Sequence, residues 1–167
     1  MNLIVAVDTK WGIGKRNDLL FHLKKDMKHF VDYTLNKVVV MGSNTLLSFP
    51  GSKPLKNRTN IVLWPGGDPV EGATVVQSLD ELFEEIKKYD SNSVFIIGGA
   101  MMYRTMLPYC DTAYITKVDA DGGAEVFLDN LDKLDNWKLV SQEPFIEDEG
   151  YLISFCTYSN NKVITKD

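Results

Sequence analysis

Five short apolar runs punctuate the first hundred residues. They cover residues 3–7, 37–41, 59–63, 74–76 and 94–97 and are rich in Val, Ile and Leu. Asp8 ends the first, Gly42 the second, Pro65-Gly66-Gly67 the third and Gly98-Gly99 the last. Runs without polar alternation read as strands covered on both faces, hence a parallel sheet. Helical periods lie between them. Residues 24–35 form one amphipathic segment, in which Met27, Phe30, Val31 and Leu35 make an apolar stripe predicted to face inward. Residues 78–86 form another, and Ser78 followed by Glu81 is a capping box. A third runs over 101–106 and stops before Pro108. Beyond it, residues 113–118 and 151–158 read as longer strands around a loop-rich stretch. Tyr151, Ile153 and Phe155 alternate with Leu152, Ser154 and Cys156, as in an antiparallel pair near a sheet edge.

This order predicts an α/β fold: a mostly parallel central sheet with an antiparallel C-terminal edge and helices on both faces. No linker interrupts it, so residues 1–167 are expected to form a single domain. The length of 167 residues suits that. The first residues are too short an apolar run for a signal peptide or membrane span, which points to the cytoplasm. Cys110 and Cys156 lie far apart without metal-ligand spacing and read as buried free thiols; no metal site is expected. The net charge of −5 argues against nucleic acid as a partner. It leaves room for an anionic small molecule held by local basic groups.

Candidate chemistry centres on Asp26, a carboxylate at the edge of the apolar stripe and four residues before Phe30. An acid beside an aromatic wall must be satisfied by a partner or hold a ligand. Trp11-Gly12-Ile13-Gly14 precedes it, a glycine-bearing loop with the character of a lid. Two strand-to-helix junctions are further candidates. Gly98-Gly99-Ala100 follows one strand and Met41-Gly42-Ser43-Asn44-Thr45 ends another. Helix N-termini present unsatisfied N–H groups to phosphates. Taken singly, each junction is better read as a plain turn or cap; together they strengthen the phosphate reading.

The chain as a whole resembles dihydrofolate reductase. The resemblance is carried by Ala6, Trp11-Gly12-Ile13-Gly14, Asp26, Phe30, Met41-Gly42-Ser43-Asn44-Thr45, Pro54-Leu55-Lys56-Asn57-Arg58-Thr59-Asn60, Ile96-Ile97-Gly98-Gly99-Ala100 and Tyr114-Ile115-Thr116. It implies hydride transfer from NADPH to C6 of dihydrofolate and a proton to N5. Asp26 then holds the pterin's amino-pyrimidine edge, and Thr116 orients that acid. Ile4, Val5 and Ala6 floor the pterin site; Leu19, Met27, Phe30, Phe49 and Leu55 wall it; Arg58 grips the glutamate α-carboxylate. Without the resemblance, core packing is the preferred reading of each apolar member. Cofactor contacts fall to Ala6, Ile13, Gly42, Ser43, Asn44, Thr45, Leu63, Trp64, Gln77, Ile97, Gly98, Gly99, Ala100, Met101, Met102 and Tyr103, with a cis Gly-Gly peptide. Residues 9–23 match a mobile loop.

The chain also departs from the family pattern. Leu20-Phe21 stands where Pro-Trp is usual, so Phe21 keeps an aromatic wall near the acid but cannot donate a hydrogen bond. Ser43, Gln77 and Met101 stand where basic residues commonly meet the cofactor's 2′-phosphate. Either discrimination between NADPH and NADH is weakened, or Ser43, Asn44, Thr45, backbone amides and a cation such as Arg104 suffice. Lysines 15, 24, 25, 28, 53 and 56 read as a basic rim or a solvated face. Dihydrofolate, antifolate-type molecules and a monomeric state are the expected partners and assembly. The competing readings are a reductase of another pterin or pyrimidine on the same fold, and a non-catalytic folate or nucleotide binder.

Overall fold

A computed structural model describes residues 1–166. Asp167, the last residue of the predicted domain span, lies outside the described residues. The chain runs β1 (Asn2–Val7), β2 (Gly12–Lys15), β3 (Asp18–Leu19), α1 (Lys24–Thr34), β4 (Val38–Gly42) and α2 (Ser43–Ser48). It continues through β5 (Thr59–Leu63), β6 (Ala73–Val76), α3 (Leu79–Ile86), β7 (Val94–Gly98) and α4 (Ala100–Met106). It ends with β8 (Thr112–Val118), β9 (Val126–Phe127), β10 (Trp137–Gln142), β11 (Ile146–Asp148) and β12 (Tyr151–Asn160).

Each of the five apolar runs is a strand of one large sheet, ordered β10-β12-β8-β1-β7-β4-β5-β6, with β11 on β12. The pairs from β8 through β6 are parallel, while β12 runs antiparallel to β8, β10 and β11. The expected mixed sheet is therefore present. Alternation within the parallel strands feeds two cores. Val38 and Val40 join Leu82, Phe83, Met102 and Met106, which are the contributions of α3 and α4. Val39 and Met41 point the other way, onto Leu46 of α2. The β7 residue Phe95, which pairs in register with Val39, stacks with Tyr114, and Tyr114 meets Tyr33 of α1. Helices thus cover both faces.

Two elements differ from expectation. The stripe on α1 faces inward only in part: Phe30 and Val31 are half-buried, whereas Met27 is 51% exposed and Leu35 41%. The face that packs carries Asp26, His29, Tyr33 and Thr34. His29 stacks on Phe155 at 4.0 Å between ring centroids, and Thr34 is fully buried. Contacts with the sheet rotate the helix so that its most apolar side borders solvent and Arg58. The other difference is a second sheet, β3-β2-β9, built from residues 9–23 and the distant Val126–Phe127. Its strands are two to four residues long, and β2 alternates glycine, so no periodicity announces them. The stretch expected to be loop-rich also contains β10, which is exposed along nearly its whole length and so lacks an apolar run.

Candidate active site

The site forms where β1 and β8 lie side by side. Their parallel register sets Ile4 beside Tyr114 and Ala6 beside Thr116. Asp26, in the first turn of α1, reaches this line. The Thr116 hydroxyl donates to Asp26 Oδ1 at 2.7 Å. Thr116 is 2% exposed, so its geometry is fixed by the sheet. Burial pushes the Asp26 carboxyl above the ordinary carboxylate range. The Thr116 hydrogen bond opposes that rise, and the negative charge of Asp148 adds to it. Burial therefore outweighs the hydroxyl that favours the ionised form. Tyr103 of α4 closes the floor: its buried hydroxyl donates to the Ile4 carbonyl at 2.9 Å. Burial first, and then the Asp26 charge, raise the Tyr103 pKa.

The two strand-to-helix junctions meet because β4 and β7 are neighbours, with Met41 opposite Gly98. The Gly98–Gly99 peptide is cis. Gly98 has φ +145°, and a Cβ there would sit 2.9 Å from Thr45 Oγ1. Only glycine admits this backbone and this approach. Gly42 and Gly99 open α2 and α4 with no side-chain cap, leaving the first N–H groups of each helix without a cap from that residue. Met102 packs against Gly42, and Ile97 and Leu63 lie on the two sides of the same region.

At the far end, Arg58 lies over Phe30 with its guanidinium carbon 5.9 Å from the ring centroid. Its Nε donates to Thr34 Oγ1 at 3.3 Å and a terminal nitrogen donates to the Lys56 carbonyl at 2.9 Å. Among the described residues no carboxylate pairs with it. Phe49, Leu55, Trp64 and Ile97 pack together on the α2 side of the sheet.

The family model for dihydrofolate reductase matches residues 1–160. The chain belongs to the dihydrofolate reductase family. The Bacillus subtilis dihydrofolate reductase is 36% identical over 150 residues, covering 89% of this chain and 86% of that protein. Dihydrofolate reductase type 9 of Escherichia coli is 30% identical over 174 residues, covering 100% and 97%. The Enterococcus faecalis dihydrofolate reductase, solved with NADP(H) and RAB-propyl, superposes with a TM-score of 0.84 at 32% identity. It covers 96% of this chain and 95% of that one.

Within this dihydrofolate reductase fold, the expected site residues divide into three groups. Ile4, Ala6, Asp26, Thr116 and Tyr103 converge, as do Gly42, Thr45, Gly98 and Met102 at the junctions. Others border solvent: Leu19 is 55% exposed, Met27 51% and Met101 62%. Two are engaged elsewhere. Phe21 packs edge-on against Tyr151 at 4.9 Å and joins the Leu23, Val118 and Ile153 cluster. Gln77 spends its amide on the Trp64–Gly67 turn, accepting from Gly66 N–H at 2.6 Å and donating to the Gly67 carbonyl at 3.1 Å. The lysine rim is a solvated face in part, since Lys24 pairs with Glu149 and Lys28 with Asp32.

Three supporting residues escaped the sequence reading. Buried Asp8 accepts N–H bonds from Lys10, Gly12 and Gly122, tying the β1–β2 loop to the β8–β9 loop. Asn60 holds the Arg58 loop by exchanging hydrogen bonds with Leu55 N–H and the Leu55 carbonyl. Buried Asp148 accepts from the N–H groups of Lys25 and Asp26. A polar residue that ends an apolar run, as Asp8 does, was the one available signal; the others are set by contacts distant in sequence.

Proposed function

We propose that this protein reduces 7,8-dihydrofolate to 5,6,7,8-tetrahydrofolate, with NADPH as the hydride donor. The observation that carries the reading is the Asp26–Thr116 pair on the β1–β8 floor, within a chain of the dihydrofolate reductase family. The adjoining glycines suit a dinucleotide: the surface between Thr45 and Gly98 is one that any added Cβ would fill. Gly42, Ser43, Asn44, Thr45, Gly98, Gly99 and Ala100 would hold its phosphates, and Ala6, Ile13, Ile97, Met102 and Tyr103 its nicotinamide. When bound, the cofactor supplies the hydride.

The protein's own residues bind and orient the substrate and raise its proton affinity, while water delivers the proton to N5. The Asp26 carboxylate offers two oxygens to a ring N–H and its adjacent amino group. Thr116 donates to one of them and so fixes the plane of the other. The negative charge of the ionised Asp26 carboxylate favours a proton, and so positive charge, on the pterin ring it faces. Arg58, whose fork is turned past Phe30, suits the glutamate tail's carboxylate. Leu19, Met27, Phe30, Phe49 and Leu55 supply the apolar walls. Phe21, packed against Tyr151, supplies no proton.

Cofactor discrimination is weak in this reading. Ser43 is uncharged, Gln77 is already bonded to the Trp64–Gly67 turn, and Met101 carries no charge for a 2′-phosphate. The protein works as a cytoplasmic monomer formed by a single domain, and antifolate-type small molecules compete for the Asp26 pocket. No helix among the described residues is long and apolar enough to cross a membrane.

The test is dihydrofolate-dependent oxidation of NADPH and NADH, side by side, for the wild type and Asp26→Asn. Turnover in the wild type, reduced about 100-fold or more by the substitution at neutral pH, is the expected outcome. No turnover in the folded wild type overturns the reading. An NADPH preference as steep as that of an Arg-bearing relative overturns the weakened discrimination alone.

A further inference from the structure

Asp148 lies at the end of β11, some 120 positions from α1 in sequence, yet it is 2% exposed beneath that helix. Its Oδ2 accepts the Lys25 N–H at 2.9 Å and the Asp26 N–H at 3.1 Å. These are among the first N–H groups of α1, which the helix cannot satisfy itself. The N-cap residue, Leu23, has no side chain able to do so. The cap of α1 is thus supplied by the sheet. The peptide it holds is that of the acid that meets the pterin.

We propose that Asp148 is a positioning residue of this active site: it clamps the Asp26 peptide to the sheet edge and supplies a second buried negative charge beside the Asp26 carboxyl. The proposal rests on the dihydrofolate reductase reading above for its catalytic consequence only. Two constraints then act on Asp26. Thr116 fixes its carboxyl from β8, and Asp148 fixes its main chain from β11. The β11–β12 hairpin, remote in sequence from every expected site residue, becomes part of the site's support.

The surrounding groups leave this charge without a buried cation. On α1, Lys25 extends outward, its ammonium donating to the Glu147 carbonyl at 2.5 Å, and Lys24 pairs with Glu149 at 3.7 Å on the surface. On the hairpin, the Glu147 carboxylate accepts from Gly150 N–H. On α4, Tyr103 faces Asp26 with its hydroxyl turned to Ile4. On β8, Thr116 is the sole polar contact to the acid. The Asp148 charge accordingly acts in the same direction as burial on Asp26, opposing its ionisation.

The experiment uses Asp148→Asn, which keeps an acceptor for the two N–H groups and removes the charge, and Asp148→Ala, which removes both. The first readout is the pH titration of the Asp26 carboxyl carbon by NMR in the ligand-free protein. The second is the pH profile of kcat/KM for dihydrofolate. In Asp148→Asn the carboxyl midpoint is expected to move to lower pH, and the alkaline limb of the kinetic profile to move with it. In Asp148→Ala the same displacement is accompanied by a loss of about tenfold in kcat/KM, as the Asp26 turn loosens. An unchanged Asp26 midpoint and an unchanged profile in folded Asp148→Asn would overturn the proposal and leave only a helix cap. The NMR arm stands without substrate, so absence of turnover would fault the proposed reaction while leaving the Asp148–Asp26 coupling decided.

Discussion

Asp26 sits in the protein at a cost to stability. The unfolded carboxyl has a pKa of about 3.9, and burial raises the native one. Between those two values the native state keeps a proton that the unfolded state has lost, so stability falls as pH rises through that window and remains lowered above it. Asp26→Asn is therefore expected to melt at a higher temperature than the wild type at pH 7. That advantage shrinks as pH falls through the window, which calorimetry at several pH values checks. Stability gained and turnover lost in one substitution is the signature of a residue kept for chemistry. Arg58 makes a second case. Its hydrogen bonds to Thr34 and Lys56 hold a planar fork in place. Arg58→Lys loses the bidentate geometry, and KM for dihydrofolate is expected to rise about tenfold with kcat little changed. A substrate without the glutamate tail should not register the difference.

At the scale of elements, caps distinguish the helices. Helix α3 is locally specified: Ser78 accepts from Glu81 N–H at 3.2 Å, and Glu81 reaches back to Gln77 N–H at 2.7 Å. The capping box read from the sequence is present, with its return bond one residue earlier than the usual N-cap amide. Ser78→Ala is expected to destabilise the protein by about 1 kcal/mol in urea unfolding, with activity unchanged. Helix α1 has the opposite character. Its cap comes from Asp148, and its packed face departs from the apolar stripe, because Met27 and Leu35 border solvent while His29 stacks on Phe155 and Thr34 is buried. Hydrophobicity alone cannot orient a helix whose partners are an aromatic ring, a threonine and a distant carboxylate. Strands β2, β3 and β9 were missed for a related reason: two to four residues carry too little periodicity to stand out.

At the scale of the whole molecule, the parallel strands set everything else. Ile96 on β7 is fully buried, with Leu3 of β1 and Val40 of β4 in register on either side. Ile96→Ala is expected to cost about 2–5 kcal/mol, measured as a lower urea midpoint with the m-value preserved. The same register aligns Ala6 with Thr116 and Met41 with Gly98, so the floor of the pterin site and the two glycine junctions are by-products of core packing. The site is legible in outline wherever a functional residue terminates a strand, because a strand's end is marked by its glycine or polar stop.

By itself, the sequence determined the strands of the parallel sheet, the helix ends marked by local caps and glycines, and the ordered motifs that place the chain in its family. These are short-range properties: β-branched runs, capping residues and positive-φ glycines act within a few residues of themselves. Only the tertiary structure decided which face of α1 packs, that burial outweighs the Thr116 hydrogen bond at Asp26, that Gln77 is bonded to its own turn, and that Asp148 carries the first turn of α1. Each depends on a partner between 10 and 123 positions away. Such partners leave no local pattern, since a buried charge or a spent amide is set by what the fold brings beside it.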